Sequence, residues 1–139
     1  MDNEKNTNLH PGKINAGNLK KVKFYLCPAC GNILTSVGES EISCCGSKLD
    51  ALAAKPADAG HEISVEEIED DYYVSFAHEM KKEHYISFMA YVKDDRILIM
   101  KLYPEQDGEV RFTRMDGGKL YYACNRHGLF SSSADGKKI

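Results

Sequence analysis

The sequence predicts a mainly β protein, with a small metal-binding unit followed by an antiparallel β-sandwich. Three observations predict it. Four of the five cysteines cluster between Cys27 and Cys45. From His61 onward, short runs alternate apolar and polar residues, as half-buried strands do. Between those runs stand turn-forming clusters: Asp70-Asp71, Asp94-Asp95, Gln106-Asp107-Gly108 and Asp116-Gly117-Gly118.

The elements follow in order. Residues 1–22 are polar, with Pro11, Gly12 and Gly17 and no sustained apolar period, and read as a mobile arm. Residues 23–52 read as a compact unit in which the strand-like pieces KFYL, NILTSV and EISC surround the cysteine pairs. Residues 53–60 are small and polar with Pro56, and read as a linker. Residues 61–130 contain the strand candidates ISVEEIE, YYVSF, YISFMAYV, RILIMKLY, EVRFTRM and KLYYAC. That many short strands with tight turns predict a sandwich. Residues 131–139 read as a tail.

Composition excludes several function classes. The chain has 139 residues, 28% of them charged, and a formal charge of −3. No basic stripe marks it as a nucleic-acid binder. No apolar run approaches the roughly 18 residues of a membrane span. The first twenty residues lack an apolar signal core. The expectation is a cytoplasmic protein, and five cysteines in a reducing compartment point to metal or redox chemistry rather than disulfides.

Cys27-Pro28-Ala29-Cys30-Gly31 places two thiols around one turn, and Cys44-Cys45-Gly46 supplies two more. Four thiolates from two short loops satisfy a tetrahedral zinc or iron ion, and the donors alone do not choose between them. A redox dithiol at Cys27 and Cys30 and a pair of buried structural thiols at Cys44 and Cys45 are the competing readings. A unit of this size buries little core and needs a metal or a disulfide.

The second constellation comprises His61, His78, His84, Cys124 and His127; His10 lies in the polar arm and is set aside. Six residues separate His78 from His84, a rotation of about 600° that leaves the rings roughly 120° apart on an ideal helix. A loop or single turn is therefore required. The zinc-protease pattern fails because Lys82 stands where its second histidine belongs. Cys124 and His127 follow a strand-like run, so a rigid element holds them. One thiolate with imidazoles is a borderline-soft set suited to iron, and five donors on an octahedral ion leave one position open.

These residues resemble the desulfoferrodoxin family, the two-domain superoxide reductases. FYLCPACGNILTSVGESEISCCGSKL resembles the family's desulforedoxin-type first domain, HEMKKEHYI its H-P-M-x-x-x-H-Y-I stretch, and CNRHGLF its C-N-x-H-G-L-W ending. The resemblance covers roughly residues 23 to 130. It implies an immunoglobulin-like β-sandwich with a mononuclear iron. His61, His78, His84 and His127 would be equatorial ligands and Cys124 the axial one. Cys27, Cys30, Cys44 and Cys45 would hold a second iron (or zinc). It implies one-electron reduction of superoxide to hydrogen peroxide, electrons from rubredoxin or a similar donor, and a homodimer.

Departures from the family pattern bear on rate. Members carry Glu-Lys just before the first histidine, the lysine attracting superoxide; here Ala59-Gly60 stands there, and Glu79 replaces the proline of H-P-M. Glu62 follows the first histidine, and Lys81 and Lys82 stand on another loop. The expectation is a slower or differently tuned reductase. The alternatives are a non-catalytic iron-binding redox sensor or electron carrier, and a structural zinc protein on the same scaffold.

Overall fold

The computed structural model describes residues 19–134 and the backbone of Lys137–Lys138, and divides into two compact units, Met1–Ala51 and Leu52–Ile139. The polar arm falls mostly outside the described residues; of it, Leu19–Lys21 form one 3-10 turn. No helix among the described residues is long and apolar enough to cross a membrane.

In the first unit, β1 (Lys23–Leu26) pairs antiparallel with β2 (Ile33–Ser36), and β3 (Ile42–Cys44) with β4 (Ser47–Leu49). Its core cluster comprises Tyr25, Cys27 and Leu49, flanked by Leu34, Ile42 and Cys44. So small a core buries too little apolar surface to offset chain entropy by itself. Two of those six side chains are cysteines, so core and metal-binding loops are one structure.

The second unit is the predicted sandwich. One sheet runs in the order β9 (Arg96–Lys101), β8 (Ile86–Lys93), β11 (Lys119–Cys124), β12 (Gly128–Ser133) and β5 (Lys55–Pro56). The other runs β10 (Glu109–Thr113), β7 (Asp71–Phe76), β6 (Ile63–Ile68) and β13 (Lys137–Lys138). Pairings are antiparallel except β12 with β5 and β6 with β13. Side-chain alternation is plain in β10, where Val110 and Phe112 turn inward between exposed neighbours. Central β8 is buried on both faces from Ile86 to Val92, matching its nearly continuous apolar run.

Tyr72, Val74, Val110 and Phe112 of one sheet meet Met89, Tyr91, Leu120, Tyr122 and Phe130 of the other in a single core. Each such side chain contributes about 1.5–3 kcal/mol on burial. The Tyr91 hydroxyl donates to the Gly117 carbonyl (2.7 Å) and accepts from the Met115 amide (2.9 Å), tying the β10–β11 connection to the core.

Two expected boundaries differ. Ser131 to Ser133, expected in a tail, complete β12, and Ala134 is fully buried with its amide donated to the Gly118 carbonyl. A serine run shows no apolar alternation, yet its backbone pairs with β11 like any other. Within residues 53–60, expected as linker, Lys55 and Pro56 pair with Phe130 and Ser131.

Gly118 makes the β10–β11 connection sensitive. Its φ is +104°, and a Cβ there would lie 2.6 Å from the Val92 carbonyl oxygen. Gly118→Ala is expected to destabilise the sandwich by about 1–3 kcal/mol. Urea unfolding checks this: the midpoint falls with an unchanged slope.

Candidate functional site

The four-cysteine loops derive from turn geometry. Cys27 follows β1; its amide donates to the Asn32 carbonyl (2.9 Å), and the Gly31 amide returns to the Cys27 carbonyl (2.8 Å). This closes residues 27–32 and brings Cys30 round. Cys44 and Cys45 are neighbours, and in an extended strand their side chains would point to opposite faces. Here Cys45 (φ 54°) and Gly46 (φ 79°) form the two-residue loop between β3 and β4, with the positive φ angles of a type I′ turn. That turn swings Cys45 back beside Cys44.

The four sulfurs of Cys27, Cys30, Cys44 and Cys45 lie within 4.8 Å of one another, and the cysteines are free thiols. Cys30 Sγ is 3.6 Å from Cys44 Sγ, which is 4.0 Å from Cys45 Sγ. Two sulfurs on one tetrahedral ion with bonds of about 2.3 Å are roughly 3.8 Å apart. The spacing fits a metal and is far too long for a disulfide. The backbone amide of Cys30 is the main cause that lowers the Cys27 thiol to about 7. Hydrogen bonding to the Cys30, Cys27 and Cys44 thiols pushes Cys45 up to about 12. The cluster ionises Cys27 readily and resists ionising Cys44 and Cys45, a conflict that a divalent cation relieves.

The histidine cluster draws on three separated segments. His61 enters just before β6; His78 and His84 bracket the connection from β7 to β8; Cys124 ends β11 and His127 precedes β12. No helix carries His78 and His84. Lys81 and His84 exchange backbone hydrogen bonds of 3.0 Å each way, and this tight turn supplies the reversal that a helix could not. At Cys124 the register between β11 and β8 shifts: Ala123 pairs with Phe88 but Cys124 with Ile86. Such a bulge re-aims the strand's last side chain. Asn125 then joins the two loops. Its amide oxygen accepts from the Tyr85 N–H (2.9 Å), its side-chain nitrogen donates to the Glu83 carbonyl (3.2 Å), and its own N–H donates to the Tyr85 carbonyl (3.1 Å).

Donor atoms of His61, His78, His84 and Cys124 lie within 4.8 Å of one another. Exposed His127 stands outside that set, but its Nδ1 is 3.4 Å from Cys124 Sγ. The four rings neighbour one another in the cyclic order His61, His78, His84, His127, with centroids 4.9, 4.4, 5.2 and again 4.9 Å apart. By its edges this ring of four is roughly a square, and buried Cys124 adds a sulfur 3.4 Å from His127 Nδ1. Phe130 stacks on His61, at 4.2 Å between centroids and 18° between planes.

The outer nitrogens fix the tautomers. His61 Nδ1–H donates to Asp58 Oδ1 (2.6 Å), His78 Nδ1–H to the Glu79 carbonyl (2.7 Å), and His84 Nδ1–H to Glu79 Oε2 (2.9 Å). Each ring therefore carries its lone pair on Nε2. All three Nε2 atoms are buried and lack a hydrogen-bond partner. Buried, unpartnered lone pairs facing a common space suit a metal ion. Burial lowers the pKa of His78, which favours the neutral form that a ligand needs. The hydrogen bonds from His61 and His84 hold Asp58 and Glu79 below the ordinary carboxylate range.

The chain is 33% identical over 122 residues to desulfoferrodoxin of Syntrophotalea carbinolica, a match spanning 81% of this chain and 97% of that one. It belongs to the desulfoferrodoxin family. Among solved structures the fold is similar to superoxide reductase from Treponema pallidum, with a TM-score of 0.72, 24% identity and coverage of 81% of this chain and 98% of that one. Superoxide reductase (neelaredoxin) from Ignicoccus hospitalis matches with a TM-score of 0.43 and 24% identity, over 58% of this chain and 82% of its own. No family model matches the sequence.

Three supporting residues carry no plain signal in the sequence. Asp58 lies in a run that reads as linker, although Asp58-Ala59-Gly60 is an Asx-turn pattern, and the Gly60 N–H does donate to Asp58 Oδ1 (3.0 Å). Glu79 registers in sequence only as a lost proline. Tyr122 reads as core, yet its hydroxyl donates to the His61 carbonyl (2.7 Å) from a site buried enough to raise its pKa to about 12.

Thiolate absorbance near 240 nm tests the cysteine loops. The metal-free, reduced protein is expected to gain its first thiolate with an apparent pKa near 7, and one thiol should stay protonated to about pH 12. Adding Zn2+ at pH 7 is expected to release protons from the remaining thiols.

Proposed function

We propose that this chain is a superoxide reductase, reducing superoxide by one electron to hydrogen peroxide at a ferrous four-histidine, one-cysteine centre. The observation that carries it is the convergence of three unpartnered Nε2 atoms with the buried Cys124 sulfur. Family membership supports it, as does the fold shared with the Treponema pallidum enzyme.

His61, His78, His84, His127 and Cys124 would hold the iron, and five protein donors on an octahedral ion would leave one position for the substrate. Iron bound there would supply the single electron, and two protons from water complete the peroxide. Cys27, Cys30, Cys44 and Cys45 would hold a second iron (or zinc). Electrons would come from rubredoxin or a similar donor, in the cytoplasm. The homodimer belongs to the same proposal. Its support is outer strand β9, where Leu98, Ile99 and Met100 are exposed beside an open sheet edge that a second copy would cover.

The electrostatics favour a modest rate. Superoxide is an anion, and the histidine loops carry the carboxylates of Asp58 and Glu79 where the family's guiding lysine is missing. Lys81 is exposed, but its Nζ stands 3.8 Å from Glu79 Oε1. A guiding cation raises anion on-rates roughly 10- to 1,000-fold. Pulse radiolysis is therefore expected to give a rate below the diffusion limit, and one that Lys81→Gln lowers further. A near-diffusion-limited rate insensitive to salt would contradict this.

The function itself is tested on anaerobically purified, iron-loaded protein. One peroxide is expected per ferrous iron oxidised, with no oxygen evolved. Iron in the site with no peroxide formed would favour the second reading, a redox sensor or electron carrier, to which the loss of charge at Ala59 and Gly60 already points.

A further inference from the structure

The four imidazoles of the square do not have equal partners. His78 leans on a neutral carbonyl, that of Glu79. His61 and His84 each donate Nδ1–H to a carboxylate, Asp58 and Glu79 respectively. In the cyclic order of the rings, His61 and His84 occupy opposite corners. The two carboxylate-backed donors thus face each other across the site, and the other two histidines make up the second diagonal.

We propose that Asp58 and Glu79 are positioning residues that make the His61 and His84 diagonal the strong-donor axis of the centre and bias it toward the ferric state. It rests on the reading above that iron occupies the histidine square. A carboxylate accepting Nδ1–H pulls that proton outward and leaves Nε2 richer in electrons. Four neutral imidazoles and one thiolate leave a net +1 on ferrous and +2 on ferric iron. Two carboxylates one imidazole away offset that charge, and they offset the ferric state more. The two are not equivalent. Asp58 Oδ1 also takes the Gly60 N–H, and among the described residues no lysine or arginine is paired with it. Glu79 shares its charge with Lys81, at 3.8 Å. The Asp58 contribution is accordingly the larger. Both side chains are substantially exposed, at 61% and 43%, so isosteric amides at these positions leave the core untouched.

The test uses the full-length protein with Asp58→Asn, Glu79→Gln and Lys81→Gln. Chelator competition with Co2+, a spectroscopic probe of the site, is expected to show 10- to 100-fold weaker binding in the first two. Spectroelectrochemistry of the iron-loaded forms is expected to show their midpoint potentials raised, by about 59 mV for each tenfold by which ferric affinity falls more than ferrous. Asp58→Asn should give the larger rise. Lys81→Gln should move the potential the other way, because it frees Glu79, and no simple loss of structure does that. Unchanged affinity and potential in both amide variants would overturn the proposal. So would weaker binding with no change in potential, which would mark the carboxylates as anchors only. If the wild type holds iron and shows a reversible potential but makes no peroxide, the proposed activity fails, and the same affinity and potential series still decides this assignment.

Discussion

Three imidazole lone pairs sharing one buried space are the constraint around which the second unit is arranged. Neutral nitrogens without partners forfeit about 1–3 kcal/mol each when they leave water. The chain nonetheless commits the opposite nitrogen of each ring to a fixed acceptor: Asp58, the Glu79 carbonyl and the Glu79 carboxylate. Those rings cannot rotate to satisfy Nε2 elsewhere without breaking a good hydrogen bond. The surrounding fold serves the same end. Tyr122 holds the His61 backbone, the bulge at Cys124 turns its sulfur toward the rings, and Asn125 clasps the two loops.

Much of this was legible in the sequence because strands announce themselves by period. The runs that became β6 to β11 alternate or are continuously apolar, and the fold bears out the β-sandwich they predict. The cysteines and histidines singled out by spacing and resemblance are the ones that the fold gathers, with His127 reaching the group through Cys124. On a helix the rings of His78 and His84 would diverge by roughly 120°, and a tight turn stands there instead. The parts that stayed hidden rest on backbone pairing or on partners distant in sequence. Ser131 to Ser133 pair through main-chain groups that carry no residue signature. Asp58 looks like a linker residue until His61 is folded against it, and Glu79 gains its role only when residues 81–84 double back.

The two units solve the same problem differently. The sandwich has an apolar core built from both sheets and can hold its donors in place with hydrogen bonds before any ion arrives. The cysteine unit has a core cluster of three buried side chains, one of them Cys27, and two short hairpins. Its order depends on what its sulfurs hold. Metal loss should therefore loosen the first unit's structure and leave the second largely intact.

The spread of the donors along the chain also sets a timetable. The four cysteines lie close together, so their ion can be captured as soon as that short stretch leaves the ribosome. The histidine square spans the chain from His61 to His127, and its sulfur sits on a strand that pairs with β8 and β12. That second ion cannot be fully enclosed until the chain has been synthesised past His127 and the sheet has closed. Loading of the two sites is thus separated in time by the topology itself, and a chain truncated before Cys124 would leave its imidazoles open to whichever cation the cell offered first.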